Sequence, residues 1–364
     1  MDLDTIAREV KKLDPKAKRR FDKNVLRLFQ QFRDGLFLRR PYRLVLDSNI
    51  IMRLESYRRG STSEGLLSVF LFFDYFEKSI FDADIVVMPS VFYEFLHQRK
   101  IANIKEHWKQ FLNIKTIIEK ELGRPAFFDD IETFEKARYL FEVIKRDSEK
   151  IEAELRKYRK VNWRFDLIRP PGEFDGFSIS NAEMVAVPPY FLARGLYEGL
   201  ELEYFDEEIA CRFLIEHMAK YISECEDNNQ TIVNKFLPAE GFLLAKILRL
   251  SKKGIRGIAD IDILSRCNVQ VQSNLQAHGK YTPASVGLSI DKNLARALSL
   301  YSQPYIGLDI EFEEENMSEN VVRAEAADND LSRMTEGESR KIDVEIEQLE
   351  YLKEIYDKFQ SPVI

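Results

Sequence analysis

The chain has 364 residues, 45% of them apolar, enough for one large domain with insertions or for two ordinary domains. A formal net charge of −7 excludes recruitment of nucleic acid by a global basic field, leaving a local basic patch or bound cations to hold any polyanion. Three cysteines without C-x-x-C spacing, no secretory signal and no apolar run of bilayer length lead us to expect a soluble, cytoplasmic protein.

Residues 5–38 read as helix, with Val10, Leu13, Phe21, Val25, Leu28, Phe29 and Phe32 recurring at intervals near three and four and Pro15 splitting the run in two. Basic residues outnumber acids there, which describes either a solvated helix face or a phosphate-contacting arm. Leu44-Val45-Leu46 is a short β-prone run ending at Asp47. A helical pattern follows over 66–77, then a second strand, Ile85 to Met88, then a helix over 91–101. Short, continuously apolar strands alternating with helices indicate a parallel sheet covered on both faces.

Residues 127–155 and 207–223 read as long helices around Pro- and Gly-containing segments, so 121–235 is expected to be a mainly helical insertion. Strand signals return at Val286 to Ile290 and Tyr305 to Ile310, and an acidic stretch from Glu311 leads to a helix carrying Ile342, Ile346, Leu349, Leu352 and Tyr356 on one stripe. The expected organisation is an N-terminal helical extension (1–43), two halves of one α/β domain (44–120 and 236–312) around the insertion, and an acidic linker with a C-terminal helix (313–364). That last stripe packs on its own domain or serves self-association.

Four acids stand where an α/β sheet places functional groups, at strand carboxyl ends or in the helix starts that follow: Asp47, Glu94, Asp260 and Asp291. Taken singly, each Asp is equally a helix N-cap and Glu94 an ordinary helical residue. Converging carboxylates repel one another and need compensation, which a hard divalent cation such as Mg²⁺ or Mn²⁺ supplies. With four histidines in the chain and none in a metal spacing, such a set suits metal-assisted phosphodiester hydrolysis better than acyl transfer. No G-x-G-x-x-G or P-loop follows any strand, which argues against a nucleotide binder.

In this order the motifs resemble those of PIN-domain nucleases. Leu44 to Ile51, with Asp47-Ser48-Asn49 after the strand, looks like the family's opening motif; Val87 to Leu96 is similar to the second, delivering Glu94. Ala259 to Leu264 resembles the third, and Leu288 to Leu294, with Ser289 and Asp291, the fourth. The resemblance covers 43–120 and 236–312. It implies a Rossmann-like parallel sheet, a pocket in which Asp47, Glu94, Asp260 and Asp291 hold Mg²⁺ or Mn²⁺, and endonuclease activity on single-stranded RNA. Ser48, Asn49 and Ser289 would orient the ligands from behind. Asp262 is an alternative third-motif ligand, but two residues from Asp260 on a helix it points elsewhere.

Arg159, Lys160, Trp163 and Arg164 form the densest basic-aromatic stretch, suited to single-strand stacking and phosphate contact or to an ordinary charged helix. Lys292 beside Asp291 is a further phosphate contact or a solvated surface residue, and His97 reads as helix surface. The expectation is an endoribonuclease with RNA as partner, no membrane association, and a homo-oligomer option through the C-terminal helix. The competing reading is a non-catalytic PIN-like RNA-binding or scaffolding module.

Overall fold

The computed structural model describes residues 1–35, 38, 42–78, 83–98, 103–129, 131–160, 184–186, 202–205, 249–251, 254–267, 272, 283–302, 346–348 and 350–355. In chain order the elements are α1 (Leu3–Lys11), α2 (Pro15–Gly35), β1 (Tyr42–Leu46), α3 (Ser48–Arg58), α4 (Glu64–Lys78), β2 (Ala83–Val87), α5 (Pro89–Gln98), α6 (Ile104–Leu122), β3 (Ala126–Phe128) and α7 (Phe134–Lys160). They continue with β4 (Met184–Ala186), β5 (Arg249–Ser251), β6 (Gly254–Arg256), α8 (Ile258–Arg266), β7 (Ala284–Leu288) and α9 (Lys292–Ser302). The protein is mostly helical with a parallel sheet of four strands in the order β3-β2-β1-β7 and a small antiparallel sheet β4-β5-β6. It is an α/β fold, as the alternation of apolar runs and helices implies.

Asp14 breaks the N-terminal helix as expected of the residue before Pro15: its carboxylate accepts the N–H groups of Lys16 (2.8 Å) and Ala17 (2.9 Å), capping α2. The N-terminal segment is no appendage, however. Phe21, Val25, Leu28, Phe29 and Phe32 are buried, and α2 packs on α4, α9 and β7. A Cβ on Gly35 would fall 2.3 Å from Val286 Cγ2, whereas one on Gly287 would meet Ile263 and Leu298. Consecutive strand residues face opposite ways, so α2 covers one face of β7 while α8 and α9 cover the other. Three layers result, and β7, at the edge of the sheet among the described residues, is wrapped by helices that meet around it.

Some boundaries differ from the sequence reading. Phe127 lies in β3, so the sheet continues past residue 120, where the insertion was expected to begin, and the long helix starts only at Phe134. Three residues of strand inside a helix-period pattern leave no signal of their own. The helical residues 346–348 and 350–355 pack against α2 and α4: Tyr351 contacts the rings of Phe29 and Tyr75, its hydroxyl donates to Asp74 at 2.8 Å, and Leu352 and Ile355 are buried. Ile346, expected on the buried stripe, is exposed, and Gln348 is buried in its stead. The expected strand at 305–310, the helix at 207–223 and the acidic linker lie outside the described residues, as do Cys211 and Cys225; Cys267 is a buried free thiol. Among the described residues no helix is long and apolar enough to cross a membrane.

Candidate functional site at the carboxyl edge of the sheet

Strand β1 pairs in parallel with β2 on one side and β7 on the other, with Leu46 opposite Leu288. The residues that leave the sheet there, Asp47 and Ser289, are therefore neighbours at the same edge, and the Asp47 N–H donates to the Leu288 carbonyl at 3.0 Å. Asp47 occupies the N-cap position of α3, yet its side chain makes no capping bond. Its fully buried carboxylate instead accepts the Ser289 hydroxyl at 2.6 Å, the Asn49 amide at 3.0 Å and the Ser48 hydroxyl at 3.2 Å. The three residues expected to orient ligands thus all hold Asp47. Burial pushes the Asp47 pKa up; the Ser289 and Asn49 hydrogen bonds oppose that, and the charge of Asp291 adds to it.

Ser289 is itself immobilised from α2. Gln31 accepts its N–H at 2.7 Å and donates to its carbonyl at 2.9 Å. The Ser289 oxygen also accepts the Asp291 N–H at 3.0 Å, which joins Asp47 and Asp291 through one hydroxyl. Asp291 is exposed and caps α9, accepting from Asn293 N at 2.9 Å and Leu294 N at 3.0 Å.

Glu94 and Asp260 form a second locus. Gly257 adopts a positive φ of 85° immediately before α8, a conformation that favours glycine. Its N–H and that of Ala259 donate to the two Glu94 carboxylate oxygens at 3.2 and 3.3 Å. Glu94 therefore serves the free N–H groups at the start of the helix that carries Asp260, where negative charge is favoured. Asp260 is half-buried in the first turn of α8. Asp262, named above as an alternative metal ligand, is fully buried and committed elsewhere: Arg266 donates to one oxygen at 2.7 Å, and Tyr204 and Ser90 donate to the other.

The structure thus joins Asp47 to Asp291 and sets Glu94 on the helix of Asp260. It does not gather four acids into one cluster: among the described residues no three His, Cys, Asp or Glu side chains are grouped to hold a metal ion. The donors are all oxygens, the chemistry that suits Mg²⁺ or Mn²⁺. Lys292 begins α9 next to Asp291 and is exposed. Arg159 and Lys160 end α7, their side chains outside the described residues, as are Trp163 and Arg164 altogether. His97 is exposed and stacks on Tyr93. At the N-terminus Lys12 and Arg20 pair with Glu9 and Glu64.

Gln31, Ser90, Tyr204 and Arg266 went unremarked in the sequence as site residues. Ser90, in the Pro-Ser turn that opens α5, was the one with a local signal. Comparison with protein-family models, with curated proteins and with solved structures found no match for this chain.

Proposed function

We propose that this chain is a PIN-like, metal-dependent endonuclease that hydrolyses phosphodiester bonds of single-stranded RNA at the carboxyl edge between β1 and β7. One observation carries the reading. Asp47 is a fully buried carboxylate held by three neutral donors, with a second carboxylate, Asp291, raising its pKa and no basic partner among the described residues. A desolvated carboxylate in that setting is strongly disfavoured unless a cation joins it. The location agrees. From β1 the chain adds β2 on one side and β7 on the other, so the strand order reverses there, and open α/β sheets bind ligands outside the carboxyl ends at such a reversal.

In this reading Asp47 and Asp291 hold the cation, Ser289 and Asn49 fix the direction of the Asp47 oxygens, and Glu94 and Asp260 contribute negative charge from α5 and α8. A bound Mg²⁺ or Mn²⁺ supplies acidification of water and neutralisation of phosphate charge. Lys292, exposed beside Asp291, would meet a phosphate there.

The test is cleavage of single-stranded RNA and DNA with Mn²⁺, Mg²⁺ or EDTA, by the wild type and by Asp47→Asn. We expect RNA cleavage with Mn²⁺, abolished by EDTA and in the variant. Cleavage that survives either change overturns the assignment. The commitment of the Glu94 carboxylate to the Gly257 and Ala259 N–H groups favours a second reading, an RNA-binding module without chemistry. Retention of RNA without cleavage under every metal would establish that reading.

A further inference from the structure

Asp147, midway along α7, is a fully buried carboxylate with a partner set made of backbone. It accepts the N–H groups of Glu203 at 3.1 Å, Tyr204 at 2.8 Å and Phe205 at 3.4 Å. Three donors from consecutive residues hold this short segment against α7 and drive the Tyr204 ring inward, where it is buried. The Tyr204 hydroxyl then makes two bonds at once. It accepts the N–H of Ser90 at 3.3 Å and donates to Asp262 at 3.0 Å.

Those partners belong to α5 and α8. Ser90 lies in the first turn of α5, whose N–H groups have no partner within the helix, so a hydroxyl more than a hundred residues away in sequence satisfies one of them. Ser90 Oγ also donates to Asp262. Arg266, one turn along α8, balances the Asp262 charge and lies over the Tyr204 ring at 5.5 Å.

Glu94 follows Ser90 by one turn of α5 and so shares its face. The two helices are therefore tied at two points, by Glu94 on the α8 N-terminus and by the Ser90–Tyr204–Asp262 bridge. The Glu94 bonds, at 3.2 and 3.3 Å, lie at the long end of the roughly 2.7–3.2 Å range of N–H···O bonds. A small rotation of α5 on α8 would break them.

We infer that Tyr204 is a positioning residue that clamps α5 to α8 and so sets Glu94 against the start of the helix carrying Asp260. Its effect on chemistry rests on the nuclease reading; its effect on the two helices does not. Burial and the Asp262 charge raise the Tyr204 pKa well above its ordinary value, so the hydroxyl remains a donor at neutral pH.

Tyr204→Phe removes the hydroxyl and keeps the ring. Amide hydrogen exchange, read residue by residue, should accelerate about tenfold or more at Gly257 and Ala259 and stay unchanged at Asp47, whose N–H belongs to the sheet. With RNA and Mn²⁺, kcat should fall about 10- to 100-fold while KM holds, the signature of lost alignment. Unchanged exchange at 257 and 259 overturns the clamp; faster exchange with an unaltered kcat overturns its link to the chemistry. A wild type that cleaves nothing ends the nuclease reading alone, and exchange then decides the clamp. Should Tyr204→Phe fail to fold, Ser90→Ala breaks the direct tie to Asp262, spares the 203–205 segment, and takes the same two readouts with the same overturning results.

Discussion

Asp47 is ionised only against its surroundings. Burial, with Asp291 adding repulsion, raises its pKa above the ordinary 3.8, so the folded chain retains a proton that the unfolded chain has released. Stability from this group is fully present below about pH 3.8 and is lost as pH rises through the elevated folded value. Asp47→Asn should therefore flatten this part of the pH dependence and leave the metal-free protein at least as stable near neutrality. Urea unfolding midpoints across the acid to neutral range check it. A variant that unfolds more readily than the wild type at pH 7 would show that the carboxylate stabilises the fold as it stands. Asp262, also buried, differs in its surroundings: Arg266 donates to it at 2.7 Å, and Asp47 has no such basic partner among the described residues.

Helix α2 shows most plainly what an element's pattern reveals and what it hides. Its apolar stripe announces a helix with one buried face, and the burial of Phe21, Val25, Leu28 and Phe32 follows. Nothing in that stripe says the face lies on β7, or that Gln31 reaches both backbone groups of Ser289, a residue 258 positions away. Strands β1, β2 and β7 were legible because continuous apolar runs end in an Asp or a Pro-Ser turn. The three-residue strands β3 to β6 were not, nor was Tyr204, whose role depends on partners brought by Asp147. Gln31→Leu keeps the volume but strands two buried backbone groups, and should cost about 2–6 kcal/mol in urea unfolding, from roughly 1–3 for each group. Gly35→Ala improves helix propensity by about 1 kcal/mol yet drives a methyl to 2.3 Å from Val286. We expect net destabilisation of about 1–2 kcal/mol from overpacking; a stabilised variant would mean that α2 yields freely against β7.

For the whole molecule, a cation bound by the folded state alone stabilises it by mass action. Differential scanning calorimetry should show Tm rising with Mn²⁺ for the wild type and not for Asp47→Asn. Equal rises would place the ion elsewhere. The two pairings of β1 also differ in origin: it meets β2 after one pair of helices and β7 across most of the chain, the Asp47–Ser289 contact spanning 242 residues. During synthesis β1 therefore waits, with one edge unpaired, until β7 has been made. Asp47 and Asp291 cannot come together before then, so a nascent or shortened chain ending ahead of Ala284 has no assembled acid pair. Any hydrolytic power this fold possesses would be withheld from the ribosome and message that are still producing it.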